Sequence, residues 1–332
     1  MIRINIPGFK TSDPGGPRWG DAQIIDDGKN YLVIDGYCEI GTTRLVNRLK
    51  KLNIKSPYLF ISHAHWDHYK GIRTIINDKW FLVAGLFCQD PDSIGDVSGD
   101  VRSEKATLRT IIKEAKARGI PVKYLKNGDH LKFGEIEFDV FQQTEKYNGN
   151  SDAYLNDGSL CFWFPNLLYW TSGDGPDQIG TMCERHGCKP GMIKIPHHGN
   201  ACPRTQAQKL WALGTRYCWD NDVSTKLTDF LQTGREDCLA VGMKYFSCIG
   251  DLNMVACNGR MYIYKGGGQA ISYKCPYNGK STLKSANLTI VKKVLGGSLG
   301  TGEARTTNLL DAGYYPLGVQ KQVNEIVKLV KG

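Results

Sequence analysis

The chain has 332 residues, 41% of them apolar and 23% charged, with a formal net charge of +9. That is enough for one large domain and a small one, and the balance is that of a globular protein, not of a disordered or fibrous one. No apolar run reaches bilayer-spanning length, which argues against membrane insertion, and the basic excess suits an anionic partner, with nucleic acid among the candidates.

The first residues, Met1-Ile2-Arg3-Ile4-Asn5-Ile6-Pro7, lack the apolar core of a signal peptide. Either export follows another route or a leader has been removed. Residues 22–25 and 30–35 predict a hairpin around Asp26-Asp27-Gly28-Lys29. Leu45, Val46, Leu49 and Leu52 predict a helix over 43–53, capped by Thr42 or Thr43. The run Tyr58-Leu59-Phe60-Ile61 reads as a buried strand and opens into Ser62-His63-Ala64-His65-Trp66-Asp67-His68. Four candidate metal ligands, His63, His65, Asp67 and His68, thus crowd one strand end. In extended chain His63 and His65 point the same way. Imidazoles with a carboxylate suit zinc. Five of the seven histidines fall in two clusters, 63/65/68 and 197/198, each behind an apolar run. Chance clustering explains that distribution poorly.

Residues 80–83 predict a further strand, 86–102 a loop, and 103–118 a helix capped by Ser103 and stopped by Gly119. Strands follow at 121–124 and 136–141, then a hairpin over 160–164 and 167–170, which leads to Asp174. Residues 192–195 form the strand that leads to His197 and His198. Helices are expected at 203–213 and 224–232 around a strand at 215–219, with final strands near 244–248, 253–256, 261–264 and 270–274. The eleven cysteines are scattered without a Cys-x-x-Cys pair, so we read them as mostly reduced and buried, with Cys183 and Cys188 able to bridge in an oxidising compartment.

The pattern His-x-His-x-Asp-His after a strand, followed in order by Thr171-Ser172-Gly173-Asp174 and Pro196-His197-His198-Gly199, resembles the metallo-β-lactamase superfamily. Within it, the later motifs are most similar to the hydrolase domain of competence DNA-uptake channels and to teichoic-acid phosphorylcholine esterases. The resemblance implies an α/β fold, the αββα sandwich. It also implies two ions, zinc preferred with manganese or iron as alternatives: one on His63 and His65, the other on Asp67, His68 and His198, with Asp174 shared. His197 is then free to touch substrate or act as general acid, and the reversed roles of His197 and His198 stay open. Lys194 could meet a phosphate. Trp66 and Trp219 could wall the pocket, although ordinary packing explains each as well. A departure is the stretch Asn156-Asp157-Gly158-Ser159-Leu160, where many members carry a further histidine.

Tyr277-Asn278-Gly279-Lys280-Ser281 reads as a linker, and helices are expected near 286–295, 303–311 and 316–330. Residues 288–324 resemble a three-helix wall-binding repeat of phage lysozymes and bacterial amidases, through Val294-Leu295-Gly296-Gly297, residues 300–305, Ala312-Gly313-Tyr314 and residues 319–324. Leu299 and Tyr315 depart from its pattern. The expected organisation is a hydrolase domain over 1–275, a linker over 276–287 and a small helical wall-binding domain over 288–332, which should fold separately. Arg305, Asp311, Tyr314 and Gln320 are candidates for muropeptide contact. Together these readings imply a dinuclear zinc phosphodiesterase acting on wall phosphoesters such as teichoic acid through a metal-bridging hydroxide. Peptidoglycan or teichoic acid is the partner, reached after cytoplasmic synthesis and release, as by a phage endolysin. A nuclease is the alternative, and a non-enzymatic wall-binding protein is disfavoured by the complete ligand set.

Overall fold

The computed structural model describes residues 1–8, 20–95, 98–143, 151–221, 233–248, 250–265 and 269–331. The helix expected at 224–232 lies outside them. In chain order the first half comprises β1 (Ile2–Ile6), β2 (Gln23–Asp26), β3 (Tyr31–Ile34), α1 (Glu39–Lys51), β4 (Tyr58–Phe60), α2 (Trp66–Asn77), β5 (Gly85–Gln89), α3 (Gly99–Ala117), β6 (Val122–Leu125), β7 (His130–Phe133) and β8 (Ile136–Gln142). The second half comprises α4 (Ser151–Asp157), β9 (Leu160–Phe164), β10 (Tyr169–Ser172), α5 (Ile179–Arg185), β11 (Met192–Lys194), α6 (Arg204–Leu213), β12 (Tyr217–Asp220), α7 (Thr233–Ala240), β13 (Lys244–Ser247), β14 (Leu252–Cys257), β15 (Arg260–Lys265), β16 (Gln269–Lys274), α8 (Leu288–Leu295), α9 (Gly302–Asp311) and α10 (Pro316–Lys331).

The strands form two mixed sheets, ordered β16-β15-β14-β1-β2-β3-β4-β5-β6 and β13-β12-β11-β10-β9-β8-β7. Residues alternate between two cores, because both faces of each sheet are covered. Leu32, Ile34 and Phe60 point between the sheets with Phe138, Phe162 and Trp219, whereas Val33 and Leu59 point outward beneath α1, α2 and α3. On the second sheet, Trp170, Ile193 and Cys218 lie beneath α5, α6 and α7. The result is an α/β sandwich of two sheets flanked by helices, plus a C-terminal three-helix region, as expected. The eleven cysteines are all buried and unbridged, Cys183 and Cys188 included.

Several local expectations need correction. Residues 80–83 form no ladder: Asp78 Oδ1 accepts from Trp80 N–H at 2.9 Å and turns the chain, and the strand is Gly85–Gln89, which runs into the span expected to be loop. Helix α3 begins earlier, because Ser98 is the cap and its hydroxyl accepts from Val101 N–H at 3.2 Å. Helix α1 also begins earlier, at Glu39, and Thr42 Oγ1 donates instead to the Gly36 and Tyr37 carbonyls. Strands β1 and β7 and helices α2, α4, α5 and α7 were not expected.

The parallel halves position the site. Strands β3 and β4 run parallel in one sheet, and β10 and β11 in the other. Ligands in open α/β sheets bind beyond the carboxyl ends of such strands, and these four ends meet at one edge of the sandwich. Strand β2 is antiparallel to β3, so the residues just before it, including Asp21, arrive at the same edge.

The C-terminal helices have a core of their own, Ile290, Val291, Val294, Leu309, Val319 and Val323. They are also docked. Leu310 is buried against Val255, Cys257 and Tyr264 on the outer face of β14 and β15. Arg48 in α1 donates to both oxygens of Asp311, at 2.6 and 2.7 Å, and Lys51 adds an ion pair at 3.0 Å. Thr307 accepts from Asn253 at 3.0 Å. The region therefore packs on the sandwich as well as around its own core.

Candidate metal centre

Beyond β3, Asp35 adopts a left-handed backbone, φ 60°, that carries its carboxylate across the end of β4. There it accepts from Ser62 N–H at 2.8 Å, from Ser62 Oγ at 2.8 Å and from His68 Nδ1 at 2.9 Å. Ser62 Oγ spends its one proton on Asp35, so at 3.1 Å from His63 Nδ1 it accepts. This assigns His63 a proton on Nδ1 and leaves Nε2 as a bare lone pair, 3.0 Å from His65 Nδ1 and 3.8 Å from Asp174 Oδ2. Helix α2 begins at Trp66, directly after His65, so Asp67 and His68 lie on its first turn.

From the second sheet, β10 ends in Ser172-Gly173-Asp174. A Cβ on Gly173 would stand 2.3 Å from Ser62 Oγ and 2.6 Å from His63 Nδ1, so only glycine lets Asp174 come this close. Ser159 Oγ accepts from the Asp174 and Gly175 amides at 3.2 and 3.3 Å. The stretch that lacks a histidine thus buttresses the Asp174 turn. After β11, His197, His198 and Gly199 all have positive φ (50°, 51° and 98°), a strained turn of the sort tolerated at functional sites. It puts His198 Nε2 at 3.1 Å from Asp67 Oδ2 and 3.4 Å from Asp174 Oδ1. His197 Nε2 stands 3.9 Å from Asp174 Oδ2, and its side chain is 34% exposed.

The structure therefore brings His63, His65, Asp67, His68, Asp174, His197 and His198 together at one edge of the sandwich. Two groups of candidate ligand atoms share Asp174: His63 and His65 on one side, His68 and His198 with Asp21 on the other. The donor set fits metal on an observation of its own. His68 Nε2, His198 Nε2 and Asp174 Oδ1 are buried and make no hydrogen bond of ordinary geometry, although the nitrogens face the oxygen at 3.0 and 3.4 Å. Two imidazole nitrogens and a carboxylate oxygen that converge without a well-formed hydrogen bond suit a cation. The charges agree. Burial pushes Asp174 up, but the His198, His68 and His197 imidazoles outweigh it and hold the carboxyl well below its usual range. Burial pushes His68 down, but Asp174, Asp35 and Asp67 hold it well above the usual histidine value. His198 is raised likewise, by Asp174 and Asp21 against its burial. Burial, with His68 and His65 beside it, holds His63 well below the usual value, which keeps it neutral. The carboxylates thus demand positive charge, and protonated imidazoles supply it until an ion does.

The other expected site residues are placed as follows. Lys194 is fully buried; its ammonium is ion-paired with Asp21 and donates to the Gly173 carbonyl at 2.8 Å, which leaves it no opening toward a phosphate. Trp219 is core, with its indole donating to Tyr169 Oη at 3.2 Å, whereas Trp66 is 36% exposed beside the ligands. Asp311 is the docking anchor. Arg305 donates to Gln320 Oε1 at 3.1 Å, and Tyr314 Oη accepts from Asn287 at 3.1 Å, so both belong to the internal bonding of the helical region. Asp35 and Asp21 were missed. The sequence signal for Asp35 is an acidic residue and a glycine closing an apolar strand; Asp21 had none beyond Gly20-Asp21 before a strand.

A family model described as the CW_7 repeat matches residues 289–327. The C-terminal region carries this cell-wall repeat. No curated protein matches the chain. Among solved structures, the chain is similar to the metallo-β-lactamase fold protein YhfI from Bacillus subtilis, at 10% identity over 74% of this chain and 96% of that one, TM-score 0.48. It is also similar to Igni18, a metallo hydrolase from the archaeon Ignicoccus hospitalis, at 12% identity over 76% and 99%, TM-score 0.46. Unliganded yeast PDE1 is similar at 10% identity over 74% and 98%, TM-score 0.45.

Proposed function

We propose that the chain is a dinuclear metal-dependent hydrolase of the metallo-β-lactamase type that cleaves phosphodiesters in cell-wall polymers such as teichoic acid. The observation that carries the hydrolase reading is Asp174 set between two groups of imidazoles, with buried ligand atoms that converge without a hydrogen bond of ordinary geometry. His63 and His65 would hold one ion and Asp67, His68 and His198 the other, with zinc preferred and Asp174 common to both. Ions bound there lower the pKa of water enough to make a nucleophile at neutral pH, and they offset charge on a phosphate. The remaining work falls to the protein. Asp35 keeps the His68 ring turned so that Nε2 faces inward. Ser62 does the same for His63. His197, partly exposed beside Asp174, would donate a proton to a departing alkoxide.

The wall as location rests on the CW_7 repeat, and action after release from the cell fits both. A nuclease is the second reading, favoured by the net charge of +9. The test is a panel offered to zinc-loaded protein: bis-nitrophenyl phosphate, purified teichoic acid, DNA and nitrocefin. Release of phosphoester fragments from teichoic acid with DNA left intact supports the proposal. Cleavage of DNA alone would favour the nuclease, and turnover of nitrocefin alone would refute the phosphodiesterase reading.

A further inference from the structure

Asp21, whose carboxylate lies close to His68, Asp174 and His198, is paired in the interior with Lys194, and both side chains are fully buried. Burying two opposite charges stabilises a fold little compared with an apolar pair of the same size, so their placement invites another explanation. Asp21 is anchored through its backbone, its carbonyl accepting from Tyr37 N–H at 2.9 Å, and Asn221 donates to its Oδ1 at 3.3 Å. Its carboxylate stands behind the metal-facing rings: Oδ1 is 3.6 Å from His198 Nδ1, a charge contact just beyond hydrogen-bond distance, and Oδ2 is 3.9 Å from His68 Nδ1. Asp67 and Asp174, in contrast, meet these rings at Nε2. His68 Nδ1 is already held by Asp35 at 2.9 Å, which leaves His198 as the ring that Asp21 serves. Lys194 links Asp21 to the carbonyl of Gly173, the residue before Asp174.

We infer that Asp21 and Lys194 form a positioning pair for the metal centre: Asp21 keeps the proton of His198 on Nδ1, so that Nε2 faces Asp67 and Asp174, while Lys194 ties that carboxylate to the turn that carries Asp174. One buried contact thereby fixes two ligands from neighbouring loops. In this arrangement Asp21 supports the rings instead of joining the ligands, because Lys194 pairs with its carboxylate. This inference rests on the metal-centre reading above but not on any substrate.

The experiment is zinc titration by competition with a chromophoric chelator, on the full chain and on Asp21→Asn, Asp21→Glu and the double variant Asp21→Asn/Lys194→Met, with 15N-histidine NMR of each zinc-loaded protein. The double variant removes both charges together and so avoids an unpaired buried charge; thermal melting checks that it folds. Asp21→Asn and the double variant should weaken one of the two binding steps by about 10- to 100-fold, with Asp21→Glu closer to the parent. His198 in the parent should show a protonated Nδ1 and a metal-bound Nε2. Unchanged affinity in the folded double variant would make the pair merely structural and overturn the inference. So would a metal-bound Nδ1 at His198, or complete loss of one ion in Asp21→Asn, which would make Asp21 a ligand. A parent that takes up two ions but cleaves no diester defeats only the substrate reading; one that takes up none defeats both.

Discussion

Asp174 is the residue on which both candidate ions depend, and its substitution should be the most damaging single change. Asp174→Asn should reduce zinc content from two ions toward one or none and lower diester hydrolysis by about a thousandfold, the scale of losing a principal electrostatic group. Elemental analysis beside kinetics checks this; a fully active Asp174→Asn protein would remove the assignment. Asp35 acts one step back, through His68, so Asp35→Asn should weaken zinc by about 10- to 100-fold. Metal uptake should also depend on pH in one direction. His68 and His198 have raised pKa values, so near neutrality they hold protons that an ion must displace. Apparent zinc affinity should therefore rise with pH and proton release should accompany binding, measurable by titration in buffers of different ionisation enthalpy. Affinity that stays flat from pH 6 to 8.5 would contradict the charge balance described.

At the scale of elements, the docking of α9 carries a prediction with a definite sign. Burial raises the Asp311 pKa, but Arg48 and Lys51 outweigh it and leave it below the usual carboxylate range. A depressed folded pKa contributes stability that is fully present above the unfolded value, about 3.9, and is lost as pH falls through the lower folded value. The contact should loosen only in acid, visible as hydrogen exchange in α9 ahead of the sandwich. Asp311→Ala leaves Arg48 buried without its partner and should cost about 3 kcal/mol. The sequence made the helices of this region legible, since Val319, Val323, Ile326 and Val327 form one stripe, but not their docking, which depends on Leu310 meeting strands far away in the chain. Strands with apolar runs were legible for the same reason, being buried on both faces. Residues 80–83 misled because Phe81 is buried while Leu82 is exposed, an apolar pattern without a ladder. Helix α2 was missed because its first turn is made of ligands, which masked its stripe. The clustered histidines gave the site away, whereas Asp21 and Asp35 act singly, through partners that only the fold brings near.

For the molecule as a whole, the helical region is both a cell-wall repeat and a cover for the outer face of β14 and β15. A chain ending near residue 280 would uncover Val255, Cys257 and Tyr264 and strip Arg48 of its partner. It should melt several degrees lower and tend to aggregate, even though every proposed ligand precedes the cut. A truncated chain that melts with the full chain would show that the docking contributes nothing. Wall affinity is therefore better tested by co-sedimentation of full-length chains altered on the exposed face of α8, for instance at Leu288 or Leu295, than by deletion.

Strand β1 sits in the interior of its sheet, between β2 and β14, with Ile4 opposite Met254. On a ribosome that adds about 5–20 residues per second, β1 must wait on the order of ten seconds or more for β14 to emerge. Until then the sheet has an open seam of unpaired amides and carbonyls next to the loops that hold the ligands. The order of synthesis itself thus keeps the centre incomplete until nearly the entire sandwich exists, and the helices that seal β14 arrive later still.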